Sequence, residues 1–464
     1  MIELKEKTFK ILLNEAYQTV REDTTTRLIS VTERIDPVNP LVVFERAKDV
    51  GNNRFFWSSV AEDFYLVGVG ESLSFQATDD VYDQVEKQWK EIINKAIIYN
   101  EYIQPGTGPV AFGGFPFDSQ EQLKEVWKDF NGSQFRIPTY LVVRNKDAYY
   151  LTINLILHPN DQMDELYEQV EKDTDELLSA LLLDQTQALM DRKEEKDPSH
   201  WMELVQKATN KIKQGKAAKI VLAREMDIYF QSKPIITLAL QQLVETQSSS
   251  FVFAYEQEES CFIGATPERL VRVEQEQLFS ACLAGTAPRG KTLAEDQRIA
   301  TNLLDDHKNR EEHDYVVQMI KEAVSNACTA VAIPDKPIIY PLESLQHLYT
   351  PVTAKLKSNY TILDIVKCLH PTPALGGLPR EASMAFIQAF EPIERGWYGA
   401  PIGWFDTYQN GEFAVAIRSG LIRNKRATLF AGCGVVKESS PVDEYEETLI
   451  KFAPMLDALG VDNE

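Results

Sequence analysis

Apolar and polar positions alternate with a period of two over many stretches of the chain, the mark of strands with one buried face. The runs LVVFER, NRFFWSS and FYLVGVG predict three strands between residues 40 and 75. GPVAFGGFPFD predicts a glycine-bearing strand or hairpin, and FRIPTYLVVRN and AYYLTINLIL two more strands around a polar turn. Helical spacing covers 80–98, 163–183, 200–214 and 309–329. Further strands are predicted in KIVLAREMDIYF, SFVFAYEQ, CFIGAT, EQLFSACLAGT, LQHLYTPVTAKL, GAPIGWFDTYQ, GEFAVAIRSGLIRN and ATLFAGCGVV. Short turns between consecutive strands favour antiparallel pairing. The expected class is α+β, with large, mostly antiparallel sheets packed against each other and helices outside. The polar stretch 184–200 (DQTQALMDRKEEKDPSH) predicts an exposed connection between an N-terminal part, 1–190, and a region 200–464. One large compact unit is expected, because no short-period repeat or low-complexity tract divides the chain.

Composition narrows the function. With 464 residues, 44% of them hydrophobic and 25% charged, the chain can bury a substantial core. Its formal net charge of −22 repels nucleic acid and anionic lipid. An anionic substrate would then need clustered cations or a bound metal. Five cysteines without Cys-x-x-Cys spacing read as reduced thiols, and no His-Glu-x-x-His pair suggests zinc. No run of 18 apolar residues and no signal-peptide core is present, so a cytoplasmic protein is expected.

Gly285-Thr-Ala-Pro-Arg-Gly290-Lys291-Thr292 matches the phosphate-loop pattern. Pro288 argues against it, because the phosphate cradle works through backbone N–H groups and proline has none. Regular strand–helix alternation around it is also missing. The plainer reading is a glycine turn beside a pocket.

Several charged residues stand at apolar-looking positions. Glu312 continues the stripe Val316, Met319, Ile320 and Ala323, where it is either an inward acid or a complement to the helix dipole. Glu444, Glu447 and Lys451 share one face of a C-terminal helix after the small-residue run AGCGVV. Glu447 and Lys451 fit an exposed ion pair as well as they fit a site. Two helices each offering a glutamate would suit Mg²⁺, which takes few carboxylates and keeps waters. Glu268, in GATPERL, is either a desolvated acid or a turn residue paired with Arg269. Lys219, which opens KIVLAR, either reaches out to solvent or serves as a base. Arg418, in FAVAIRSG, suits bidentate capture of a carboxylate or an internal ion pair.

Ten blocks in order give these residues a common frame: KIVLAR, GATPERL, LAGTAPRG, NREEHDYVV, LQHL, HPTPALGG, ERGWYGAPIGW, AIRSG, AGCGVV and EYEETLIK. Together they resemble the chorismate-utilising enzyme family, strongly over 200–462 and more loosely before 190. The phosphate-loop match is then absorbed as the family's AGT-x-x-RG turn. Amine-adding members usually carry a glutamine-like residue at Lys219, and aminodeoxychorismate synthases a nucleophilic lysine at Ala284. Lys219 with Ala284 looks like the isochorismate synthase branch, and the FFWSS and FGGFPFD segments are most similar to its menaquinone-pathway type.

The resemblance implies a mechanism. Lys219, as general base, activates a water that attacks C2 of chorismate. Glu268, as general acid, protonates the departing C4 hydroxyl. Such a pair demands opposed tuning of amine and carboxyl. Mg²⁺ is implied as cofactor, held by Glu312 and Glu447 with Glu444 as a direct or outer ligand. Arg418 and Lys451 would neutralise the side-chain carboxylate, helped by backbone N–H groups near Gly285 and Gly434. Thr286, His347, Thr372 and Tyr398 would line the pocket. Chorismate is the implied partner, with no nucleic acid, membrane or glutaminase subunit, in a monomer or weak homodimer. Alternatives are a salicylate synthase, isochorismate supply for a siderophore, and, from other classes, a phosphate-loop ATPase or a scaffold that has lost its activity.

Overall fold

The computed structural model describes residues 2–119, 125–183, 186–341 and 345–461, with the backbone alone for 2–8, 308 and 312. Two large sheets form its frame. The first has twelve strands, in the order Met190–Glu195, Ile220–Phe230, Arg426–Val435, Ser419–Arg423, Ser260–Thr266, Phe251–Gln257, Phe55–Ser59, Phe64–Val69, Tyr140–Asn145, Ala148–Leu157, Arg27–Ile35 and Ile97–Tyr99. The second runs Cys328–Ala332, Leu345–Leu356, Gln277–Pro288, Arg269–Glu274, Gly411–Val415, Pro401–Asp406, Val110–Gly114, Ser133–Ile137 and Leu73–Ala77. Ile338–Pro341 adds a tenth strand by pairing with Leu345–Leu356. The last pair of the first sheet, Arg27–Ile35 with Ile97–Tyr99, is parallel; the pairs that build the site are antiparallel.

Both sheets cross the middle of the sequence without a break. Phe251–Gln257 pairs with Phe55–Ser59 in one, and Pro401–Asp406 with Val110–Gly114 in the other. The facing surfaces are aromatic: Phe55, Trp57, Phe112, Tyr255, Phe262 and Trp397 are all buried there, and Phe55 stacks on Phe112 at 4.4 Å. Each such side chain contributes roughly 1.5–3 kcal/mol by leaving water. Helices cover the outer faces, as the amphipathic spacing requires. Val316, Ile320 and Val324 of His307–Ala327 pack on the second sheet, and Phe452, Met455 and Leu456 of Pro441–Ala458 on the first.

Three sequence expectations change. LVVFER is helical, within Pro40–Val50, because the Asn39 side chain accepts from the Leu41 N–H and Pro40 opens the first turn. The polar stretch after residue 184 contains the edge strand Met190–Glu195 and runs into the helix Pro198–Lys213; residues 184 and 185 lie outside the described residues. Its charged side chains suit an edge that must not recruit another strand. GEFAVAIRSGLIRN is two strands, Gly411–Val415 and Ser419–Arg423, in different sheets.

The phosphate-loop pattern is filled from within. Asp296 accepts from the Gly290 N–H at 2.7 Å and from Arg289, while Glu295 accepts from the Lys291 N–H at 2.9 Å. Two carboxylates thus occupy amides that a phosphate would need.

Candidate active site

The chain changes sheets at two neighbouring points. One is Pro267–Glu268, between Ser260–Thr266 and Arg269–Glu274; the other is 416–418, between Gly411–Val415 and Ser419–Arg423. The crossings hold each other. Val415 N–H donates to the Glu268 carbonyl at 3.0 Å, and Ala265 N–H to the Arg418 carbonyl at 3.1 Å. Arg418 has φ of 51°, a left-handed conformation that costs energy in a non-glycine residue and tends to mark functional sites. Glu268 and Arg418 thus stand side by side where the sheets part.

A cavity of about 880 Å³ opens at this point. It gathers Lys219, Glu268, Gly285, Thr286, His347, Tyr398, Arg418, Gly434, Glu447 and Lys451, ten of the thirteen residues singled out from sequence. Glu268 is enclosed by protein yet reached through the cavity, and burial raises its carboxyl pKa to about 7, against the pull of Lys219 and Lys451. Arg269 does not neutralise it, because that guanidinium pairs with Glu62 and Glu412. Glu268 is therefore substantially protonated near neutral pH.

Lys219 is held by its backbone. Its N–H donates to the Leu378 carbonyl at 3.0 Å, and its carbonyl accepts from Leu378 N–H and from the Ser383 hydroxyl, both at 2.8 Å. Gly434 leaves the space for its side chain: a Cβ there would stand 2.5 Å from Lys219 Cε. Glu391 and Arg395, which the sequence did not suggest, close the strand edge just beyond. Met190–Glu195 stops pairing at Met226. In its place Glu391 accepts from Ala223 N–H at 2.8 Å, and Arg395 donates to the Val221 carbonyl at 2.8 Å. The two side chains pair with each other at 2.5 Å.

Thr286 and His347 face each other across Gln277–Pro288 and Leu345–Leu356, bonded at 2.9 Å from Thr286 Oγ1 to His347 Nδ1. The register slips by one residue at Gly285, whose φ of 80° suits glycine; this bulge turns the pair into the cavity. Burial, with Arg418 and Lys451 nearby, lowers the His347 pKa to about 4, so its imidazole is neutral. Tyr398 is buried and stacks on Phe430 at 5.4 Å.

The rim is charged. Glu447 pairs with Lys451 at 2.5 Å, as an i, i+4 pair would, and Lys451 also donates to the Gly432 carbonyl at 2.8 Å. The Glu447 side chain is 50% exposed. Asp443 and Glu446 line the same rim, and Asn309 the opposite helix; none of the three was anticipated.

Glu444 and Thr372 stand apart from the lining. Glu444 accepts from the Ser439 hydroxyl at 2.5 Å and bonds Cys433. Thr372 is buried in the turn carrying the lining residues Ala374 and Leu375, and its hydroxyl has no hydrogen-bond partner among the described residues. The Glu312 side chain lies outside the described residues. Among the described residues no three His, Cys, Asp or Glu side chains converge as a metal site. The rim donors are nonetheless carboxylate oxygens, and a hard cation that keeps waters and takes a substrate oxygen needs few of them. No described helix is long and apolar enough to cross a membrane.

The family model described as "Chorismate binding enzyme" matches residues 14–460. The chain is 39% identical over 467 residues to the isochorismate synthase MenF of Bacillus subtilis, covering 99% of both chains. It is 33% identical to the salicylate biosynthesis isochorismate synthase of Pseudomonas aeruginosa, over 93% of this chain and 90% of the other. The solved menaquinone-specific isochorismate synthase MenF from Escherichia coli shares the fold, with a TM-score of 0.79 at 23% identity over 96% of this chain and 99% of that one.

Proposed function

The chain belongs to the chorismate-binding enzyme family, and from that premise we propose that it is an isochorismate synthase, an isomerase of the menaquinone type. The observation that carries the chemistry is Glu268, a carboxyl whose pKa burial raises to about 7, in one cavity with the amine of Lys219. General acid–base catalysis asks for that combination. Ala284 lines the same cavity, so no lysine is available there for covalent attack.

In this reading Lys219 Nζ takes a proton from a water as its oxygen bonds to C2 of chorismate. The ring double bonds shift, and the bond from C4 to its hydroxyl breaks. Glu268 gives its proton to that oxygen, which leaves as water, so the overall change is an isomerisation. Arg418 and Lys451 neutralise the side-chain carboxylate. The neutral His347, oriented by Thr286, hydrogen-bonds without adding charge, and Tyr398 walls the ring. Arg418 and Lys451 bring positive charge into the cavity of a chain of net charge −22, which answers how a dianion can bind.

Glu312 and Glu447 would hold Mg²⁺, with Glu444 as a direct or outer ligand. When bound, the ion supplies the positive charge that offsets the ring carboxylate. Full-length similarity to a MenF enzyme favours menaquinone supply over a siderophore route. We place the enzyme in the cytoplasm, acting as a monomer or weak homodimer without a glutaminase subunit.

Chromatography of chorismate incubated with the protein and Mg²⁺, without ammonia, tests this reading. Isochorismate alone is expected. Salicylate with pyruvate would move the chain to the salicylate synthases, and anthranilate formed only on adding ammonia would overturn the role of Lys219.

A further inference from the structure

Glu268 has a second cavity behind it. Besides the 880 Å³ cavity it lines a smaller one of about 110 Å³, and Pro267 and Leu283 are the other residues common to both. Phe279, Ala281 and Leu283, alternate residues of Gln277–Pro288, form one wall; Tyr349, opposite Leu283 in register, and Tyr340, stacked on it at 5.1 Å, form another. The lining is polar as well as aromatic: Ser249, Ser250, Glu62 and Arg269 contribute. Ser249 and Ala61 are exposed, so this cavity reaches the surface on its own.

A second path to Glu268 suits the reaction. Each turnover takes one water in at C2 and releases another at C4, where Glu268 has just lost its proton. On the substrate side the departing water shares the main cavity with the ring and stays beside C4. A departing water that lingers can add back at C4 and undo the step.

We propose that the cavity behind Glu268 is the exit for the water released at C4 and the route by which solvent returns the proton to Glu268. This rests on the isochorismate synthase reading. The proton balance closes: Lys219 Nζ later releases the proton it took, and Glu268 regains one from solvent. Glu62 and Arg269, locked in an ion pair beside the path, keep its wall polar.

Two substitutions close the path without touching the acid or the base. Ala281→Leu fills it from the strand, and Ser249→Trp covers its exposed mouth. Each variant is run reversibly with chorismate and isochorismate in H₂¹⁸O, with Mg²⁺ present. We expect kcat to fall several-fold at unchanged KM. We also expect ¹⁸O incorporation at C4 of chorismate, counted per isomerisation event, to fall several-fold because trapped water returns. A substitution that merely loosened the fold would leave that ratio alone. Should Ala281→Leu fail to fold, the surface change Ser249→Trp decides. Unchanged kcat and unchanged ¹⁸O ratio in a folded variant overturn the exit path. Wild-type protein that makes no isochorismate overturns instead the reading beneath it.

Discussion

At the floor of the cavity Lys219 and Glu268 are fixed by backbone: a two-way bridge to Leu378 for one, a crossing between sheets for the other. At the rim Glu447 and Lys451 hang from the single helix Pro441–Ala458, and Glu447 is half in water. The floor is enclosed enough by protein to lift a carboxyl to about 7. The rim keeps its charges in solvent, where a pair of this kind is worth a fraction of a kcal/mol. The contrast assigns proton transfer, which needs fixed geometry and shifted acidity, to the floor. Capture of charge is shared between the rim and Arg418, which stands beside Glu268 at the sheet crossing.

Four changes would break or sharpen this division. Lys219→Ala should lower kcat by about 10²–10⁴-fold, the usual share of a general base, with the melting temperature near that of the wild type. A near-normal kcat would place the base elsewhere. Gly434→Ala puts a methyl 2.5 Å from Lys219 Cε, which must shift, and a displacement of about 1 Å costs about 10²-fold in rate. The loss should fall on kcat rather than KM. Arg395→Lys keeps the charge opposite Glu391 but loses the fork that reaches both Val221 and Leu375 carbonyls; a drop in kcat on the order of tenfold is expected, with chorismate binding intact by calorimetry. At the rim, Glu447→Gln should leave kcat at saturating Mg²⁺ nearly unchanged while raising the Mg²⁺ needed for half activity by about tenfold, or ~1.4 kcal/mol. If Glu447→Gln instead abolished kcat at all Mg²⁺ concentrations, floor and rim would not be separable.

The sequence carried much of this. Alternation marked most strands, and ten of thirteen chosen residues meet in one cavity. The failures have physical reasons. LVVFER has the apolar, β-branched look of a strand, but Asn39-Pro40 was a helix start in plain view. Arg418 looked like a strand residue because the composition stays apolar while the chain crosses between sheets, and no local pattern records a crossing. Glu391 and Arg395 bond backbone groups of residues 221 and 223, contacts that side-chain spacing does not encode. Asp443, Glu446 and Asn309 look like ordinary surface residues until the fold places them around one opening.

The central claim is that Glu268 enters catalysis as a protonated acid. Its carboxyl is raised in the folded protein, so the acid form is present below about pH 7 and is lost as pH rises through that value. The pH profile of kcat/KM, which reports groups of the free enzyme, tests this directly. The wild type should lose activity above about pH 7, approaching tenfold per unit. Glu268→Gln should be slower by about 10²-fold or more and should lack that limb. A Glu268→Gln variant that keeps the same limb near pH 7 would contradict the account, because some other group would then be the acid.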